Sequence, residues 1–383
     1  MFEFKNPFIV AGYHSPVYFC DRESECAKII SALSNDRNIS LISMRRMGKT
    51  GLIHHIFHQI LEQDKDIRCF YVDIFSTQNL HDFATSFGQA IIRKLDADTD
   101  TFMRRISGIF KSFRPSLTID AVSGLPALSL NIQPEQTEQS LQEIFTYLQQ
   151  SDKRVYIAID EFQQITEYPE KGVEALLRSH MQFLPNVKFI FSGSKKHLMD
   201  AMFSAVNRPF YQSTQKIGLK EIPLDTYRKF AENLFHIHQK TLHPAVFDYI
   251  YTEMSGHTWY VQLILNQLFA LHKTHYSVQD AALLIDEILE EENATYKTYC
   301  EIITKGQLRL LKAIAAEKKV SEPFEADFMK KYRLTAPSSV RLALKSLISK
   351  TLLLKDDDDN YFVYDRFFSI WLKKKLTSSS ILL

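Results

Sequence analysis

No apolar run in this sequence reaches the ~18 residues that a helix needs to cross a bilayer, so nothing in it reads as a membrane span. Its opening residues, MFEFKNPFIVAGYHSP, lack a basic stretch followed by a long apolar core. A secretory leader is therefore not expected, and a cytoplasmic protein is. Cysteine is scarce. Cys20, Cys26, Cys69 and Cys300 form no C-x-x-C pair, so free thiols in a reducing compartment are expected rather than a disulfide framework. Net charge is nearly absent: 46 Lys and Arg stand against 45 Asp and Glu, which excludes a global field drawing the chain to nucleic acid or membrane. The balance is uneven along the chain. From Cys300 onward 16 basic residues face 10 acidic ones, a net of +6, and the remainder, 30 against 35, carries −5. There is no internal repeat and no legible Ser-His-Asp or Cys-His arrangement. His54 and His58 have the i, i+4 spacing of a metal clasp, but no glutamate lies between them as in H-E-x-x-H and no third ligand is evident. With His55 they read as a partly buried helix face.

The 383 residues, 45% hydrophobic and 24% charged, have the composition of an ordinary soluble globular protein of two or three domains. Up to about residue 220, short β-rich runs alternate with helical patterns: NISLIS (38–43), IRCFYVDI (67–74), VYIAID (155–160), VKFIFSGS (187–194) and STQKIGL (213–219). Such runs, separated by helices, predict an α/β domain with a parallel sheet and crossover helices. SLTIDAVSGLPALSLNI (116–132) alternates on either side of Ser-Gly and predicts an inserted β-hairpin. From 221 to 299 every segment carries apolar residues at three-to-four spacing, a helical domain. From 300 to 376 the order is helix, helix, helix, then two β-rich arms around an Asp-Asn turn, the order of a winged helix-turn-helix. Residues 377–383 read as a frayed tail.

SLISMRRMGKTGLIHHIF (40–57) places Gly48-Lys49-Thr50 between a strand and a helix. It resembles the phosphate loop G-x-x-x-x-G-K-[ST], with Ser43 where the first glycine belongs. Such a loop aims backbone N–H groups and a helix N-terminus at phosphate. Gly48 permits close backbone approach, Lys49 reaches the β- and γ-phosphates, and Thr50 offers a hydroxyl to Mg²⁺. Ser43 is costly only if its position needs positive φ. A second strand, VYIAID, ends in Asp160-Glu161. Asp160 suits the water shell of the metal, and Glu161 is placed to polarise an attacking water. If strand 187–194 lies between these two, a side chain at its end reaches toward the γ-phosphate. Ser192 and Ser194 both qualify, and an ordinary strand-to-helix turn is the alternative.

FCDRESE, SMRRMGKTGLI, AIDEFQQI and FIFSGS together resemble the archaeal-type ATPases of the STAND branch, relatives of the AAA+ proteins. The resemblance spans about residues 6 to 375. It implies a RecA/AAA+-like P-loop NTPase domain (1–220), a helical lid (221–299) and a winged helix (300–376). It also implies ATP, Mg²⁺ and an ADP form that opens on exchange. The nucleotide-binding set is then Ser43, Arg45, Arg46, Met47, Gly48, Lys49, Thr50 and Gly51, with Ser192. The segment Asp21 to Glu25 falls near adenine and ribose, with Phe19 and Arg22 as its candidates. Thr50 and Asp160 hold the metal. Glu161, Lys49 and Arg208 form the catalytic set. Arg208 matches an arginine that the family places after this strand, toward the γ-phosphate of its own or a neighbouring subunit; a structural arginine is the alternative. The lid departs from the family, reading Gly256-His257-Thr258-Trp259 without the usual proline.

The third helix of the last domain presents Arg341 and Lys345 on one face, but Asp356, Asp357, Asp358 and Asp359 stand at the wing, where phosphate contact calls for cations. The expectation is an ATP-binding, slowly hydrolysing molecular switch whose nucleotide state controls the position of lid and winged helix. The winged helix is expected to contact the protein's own ATPase core or a protein partner, with DNA contact weak or absent and self-association left open. A DNA-binding initiator-like ATPase and a non-catalytic nucleotide-binding interaction protein are the alternatives.

Overall fold

Strand β1 (Ile39–Ile42) is buried at all four positions, β5 (Val155–Asp160) at all six and β6 (Val187–Gly193) at all seven. Strands buried on both faces need helices above and below, and the computed structural model has them. The structure describes residues 5–95, 108–113, 115–119, 126–356 and 358–379. The chain divides into two compact units.

The first unit, Ala11–Glu221, is built on a five-stranded sheet. With β2 (Arg68–Asp73) and β7 (Gln215–Gly218), the order is β2-β5-β6-β1-β7, and every neighbouring pair is parallel. Strand β6 does lie between β5 and β1, so the strand ends that the sequence singled out meet at one sheet edge. Alternation along the strands sorts side chains to two cores. Phe70, Ile157, Ile159, Phe189 and Phe191 pack on one face with helix α3 (Leu80–Leu95) and helix Thr137–Gln149. Leu41, Tyr156, Ala158 and Ile190 pack on the other with α1 (Glu23–Ser34) and α2 (Lys49–Gln63). Each such fully buried Leu, Ile or Phe contributes about 1.5–3 kcal/mol. The expected hairpin is present as β3 (Pro115–Ile119) paired antiparallel with β4 (Pro126–Leu130); its Ser-Gly turn falls outside the described residues.

The second unit holds residues from Ile222 onward together with the described N-terminus up to Val10. Grouping that segment with 1–220, as the sequence pattern does, misses its anchors. Phe8 is fully buried against Phe235 and Phe269. Asn6 Nδ2 donates to Asn266 O (2.8 Å), Asn266 Nδ2 to Phe8 O (2.6 Å) and Trp259 Nε1 to Val10 O (3.2 Å). The helices begin where capping chemistry dictates. Ser277 with Asp280 starts Val278–Glu291, and Thr304 with Gln307 starts Lys305–Glu317, each pair forming a reciprocal capping box. The otherwise helical stretch also carries a two-residue parallel pair, Thr241–Leu242 with His275–Tyr276.

The winged helix consists of Lys305–Glu317, Ala326–Lys331, Pro337–Ser349 and the antiparallel arms Leu353–Lys355 and Tyr361–Val363. Helix Arg366–Ser379 closes it and runs into the segment read as a tail. The acidic wing is organised differently from its sequence appearance. Asp356 accepts from the backbone N–H of Asn360 (2.8 Å) and of Asp358 (3.1 Å) and pairs with Lys319 (3.0 Å). Asp359 pairs with Lys355 (2.8 Å), and Asp357 lies outside the described residues. Asp356 is thus the acceptor that shapes the turn, not a free charge. Among the described residues no helix is long and apolar enough to cross a membrane.

Candidate functional site

The loop after β1 bends through two left-handed residues, Arg46 (φ +63°) and Gly48 (φ +95°). A Cβ on Gly48 would meet nothing within 4 Å, so backbone conformation, not space, calls for glycine there. Ser43 is not among the left-handed residues. The missing first glycine therefore carries no conformational cost. Lys49, first residue of α2, is only 5% exposed, and its ammonium donates to Ser43 O (3.1 Å) and Met44 O (3.2 Å). Burial lowers its pKa, and the carboxylates of Asp160 and Glu161 oppose that shift. Arg45 lies over the exposed Phe75 ring (5.0 Å), Arg46 is exposed and Met47 is buried. A Cβ on Gly51 would come within 3.4 Å of the Phe19 ring, so α2 and that ring approach closely.

Asp160 ends β5 beside this loop. Its Oδ2 accepts from Thr50 Oγ1 (2.8 Å) and from Tyr71 Oη (2.7 Å), and its Oδ1 from the Glu161 N–H (3.0 Å). Tyr71 lies two residues before Asp73, the residue paired with Asp160 in the β2–β5 register. Burial, then the Asp160 charge, raises the Tyr71 pKa, so it stays a donor. Glu161 is itself left-handed (φ +55°). Its Oε2 accepts from Ser194 Oγ (2.7 Å) and from Gln163 Nε2. Of the two serines left open by sequence, Ser194 holds Glu161, and Ser192 is fully buried with no partner for its hydroxyl among the described residues. Burial and the neighbouring Asp160 and Glu161 charges raise the pKa of Asp73.

Gly193 fixes this arrangement sterically. A Cβ there would lie 2.3 Å from Gln163 Oε1 and 2.5 Å from Met199 Sδ. Gly193→Ala is expected to destabilise the protein by about 1–3 kcal/mol through overpacking, and to displace the amide that holds Glu161. Urea denaturation checks this; an unchanged midpoint would show that the pocket relaxes freely.

The remaining candidates lie in other contacts. The Arg208 guanidinium pairs with Glu174, whose pKa burial raises against the effect of that arginine. Arg22, 4% exposed, contacts backbone rather than open space: Nη2 donates to Lys220 O (2.8 Å) and lies 3.5 Å from Met47 O. His55 stacks on Phe19 (4.3 Å) and bonds Tyr13 Oη (3.0 Å) and Gln59 Nε2 (2.9 Å), while His58 approaches Glu62 (3.5 Å). Among the described residues no group of three or more His, Cys, Asp or Glu could hold a metal ion by itself. Sequence reasoning passed over Tyr71 and Gln163. Only strand register brings Tyr71 to Asp160, and only the turn after β5 brings Gln163 to Glu161.

The donor set fits a magnesium polyphosphate. Thr50 and Asp160 supply hard oxygen ligands, which Mg²⁺ takes alongside phosphate and water. The buried Lys49 ammonium has two neutral carbonyls as its bonded partners, and a polyanion would supply the opposite charge.

A family model described as an ATPase domain predominantly from Archaea matches residues 19–264, and one described as "Probable winged helix domain" matches residues 294–374. No curated protein sequence matches. Among solved structures, the chain is similar to the Walker-type ATPase PABY2304 of Pyrococcus abyssi, with a TM-score of 0.64 at 14% identity, covering 96% of this chain and 99% of that one. The ORC2 protein of Aeropyrum pernix in its ADPNP–ADP complexes gives 0.58 at 14% identity, over 98% of this chain and 99% of that one. The ORC1 protein of the same organism, in complex with DNA, gives 0.53 at 10% identity, over 99% and 98%. These likenesses show a shared AAA+-like fold, a P-loop sheet followed by helices and a winged helix. With its family model covering well over half of its length, the chain belongs to the family of ATPase domains found predominantly in Archaea.

Proposed function

We propose that this protein is an ATP-dependent molecular switch that hydrolyses its nucleotide slowly. The observation that carries the reading is the junction of Lys49, Thr50 and Asp160, a buried ammonium and a hydroxyl–carboxylate pair at one sheet edge. Lys49 binds the β- and γ-phosphates of ATP from the loop. Thr50, and Asp160 through water, would hold Mg²⁺, which would supply charge neutralisation on those phosphates. Tyr71 keeps Asp160 oriented. Glu161 takes the proton of the attacking water. Slow turnover is supported by the anchoring of Glu161: Ser194 and Gln163 both donate to its Oε2, so the carboxylate is tied to the turn rather than free to follow the water. Arg208, engaged by Glu174, is given no step. The test is equilibrium binding of a fluorescent ATP analogue with phosphate release followed over hours. Binding with slow release supports the switch, binding without release supports a non-catalytic nucleotide-binding protein, and no binding removes both.

The winged helix is proposed to contact protein rather than DNA. Pro337–Ser349, the helix that a DNA-binding winged helix presents to the groove, exposes Leu342 at 71% beside exposed Arg341 and Lys345. An apolar anchor flanked by cations suits an acidic protein surface better than a phosphate backbone. The ion pairs of Asp356 and Asp359 remove part of the repulsion expected from the wing, so the exposed leucine is the stronger argument. Fluorescence anisotropy of the full chain with ATP and duplex DNA at physiological salt is expected to show weak or no binding. Submicromolar, salt-sensitive binding lost in Arg341→Ala would instead favour the initiator-like reading, toward which the DNA-bound ORC1 neighbour points.

A further inference from the structure

Arg22 is a buried cation at an unusual backbone position. It and Asp21 are consecutive non-glycine residues in the left-handed region (φ +79° and +61°) immediately before α1. Strain of this kind persists only where surrounding contacts over-determine it. Here the contacts are specific. Nη1 pairs with Glu25 (3.0 Å), one turn along the helix. Nη2 donates to Lys220 O (2.8 Å) and lies 3.5 Å from Met47 O, so one nitrogen faces two backbone carbonyls. Met47 belongs to the phosphate loop and immediately precedes Gly48. Lys220 lies two residues beyond the end of β7, and Glu221 is the last residue of this unit. The two carbonyls meet because β1 and β7 pair in parallel, Ile42 opposite Gly218, so the loop and the outgoing chain leave the same sheet edge side by side.

We infer that Arg22 is a positioning residue that ties the phosphate loop to the outgoing chain at Lys220, so that rearrangement of the loop on nucleotide binding is passed to the segment through which the chain leaves the sheet unit. The inference rests on the ATP-binding reading above. It gives Arg22 a role other than contact with adenine or ribose: its bonded donors are committed to protein, and the side chain is 5% exposed. Guanidinium suits the task, because its planar fork can serve several oxygens at once and stays charged when buried. The Met47 contact is the longer of the two, and it is the one that a bound phosphate, by drawing the neighbouring amides inward, would alter first.

The experiment compares the full chain with Arg22→Ala and Arg22→Lys, using ATP with Mg²⁺ as the probe and two readouts, ATP affinity and hydrogen–deuterium exchange at residues 219–224. In the parent, ATP is expected to change exchange in that segment. In Arg22→Ala, affinity is expected to fall by no more than about tenfold, the worth of one or two ordinary hydrogen bonds, while the ATP-dependent change in exchange is lost. Arg22→Lys, which keeps the charge but not the fork, is expected to lose most of that change with still less effect on affinity. If Arg22→Ala does not fold, the lysine variant gives the same reading. An affinity loss on the order of 10²-fold or more in the folded lysine variant, the scale of a broken charged contact, would make Arg22 a nucleotide ligand and overturn the inference. Persistence of the exchange change in either folded variant would also overturn it. A parent that binds ATP without any change at 219–224 refutes the clamp alone, and a parent that does not bind ATP refutes the nucleotide reading and the clamp with it.

Discussion

Lys49→Ala is expected to abolish measurable ATP binding while leaving the protein folded. The ammonium is buried under the loop and donates to the carbonyls of Ser43 and Met44, which fix it at the loop proposed to bind the β- and γ-phosphates. Burial works against the charge, and the fields of Asp160 and Glu161 support it. Alanine removes the cation that offsets the phosphate charge, so binding must proceed against those two carboxylates alone. Truncating one partner of a buried charge pair costs about 2–5 kcal/mol or more, a loss of about 30- to 5,000-fold, and the upper part of that range moves a micromolar ligand into the millimolar range. The fold has less to lose. Core contacts of α2 come from Leu52, Ile53, Ile56, Phe57 and Ile60, none of which the substitution touches. Two carbonyls lose a donor, but the change also removes a cation that is costly to bury. Titration calorimetry on a variant whose thermal melt matches the parent decides the matter, and unchanged affinity in that variant would sink the nucleotide reading.

The sheet was legible because its signal is local. Strands β1, β2, β5, β6 and β7 fall within the five β-rich runs, ending within two residues of them, and the signal is clearest for β1, β5 and β6, since a strand buried on both faces must be apolar along its length. Lys49, Thr50, Asp160 and Glu161 were legible for a related reason: each stands at or just beyond the end of such a strand, or at the start of the helix after one. What escaped is long-range. Phe8 and Asn6 precede the sheet unit in sequence, yet they pack against residues 235 to 269, and nothing in their own neighbourhood announces it. Tyr71 reads as one more β-forming aromatic until the register sets it diagonally across from Asp160. Asp356 reads as one of four like charges, although a carboxylate at the start of a tight turn is readily recruited by the backbone N–H groups ahead of it. Arg22 was noticed, but its partners sit 25 and 198 residues away.

Glu161→Gln is the substitution expected to separate binding from hydrolysis. The side chain follows Asp160 at the end of β5 and is held away from free rotation by its left-handed backbone and by Ser194 and Gln163. Glutamine has nearly the same shape, its amide oxygen can accept the Ser194 hydroxyl, and it occupies the left-handed region no less readily than glutamate, so the turn should persist. Thr50, Asp160 and Tyr71 are untouched, and so is Lys49, to which nucleotide binding is assigned. What disappears is the ability to take a proton. Loss of a general base lowers turnover by a factor on the order of 10²–10⁴, while ATP affinity is expected to stay close to that of the parent. Ser194 and Gln163 tie one oxygen of the parent carboxylate to the turn. A base tied in this way is expected to act below its full power, so the observed ratio should lie toward the lower end of the range. Single-turnover phosphate release from preloaded protein, run beside an affinity measurement, reads both quantities. Equal release rates in parent and variant would take Glu161 out of the chemistry and leave the Ser194–Glu161 contact as a structural bond of the turn.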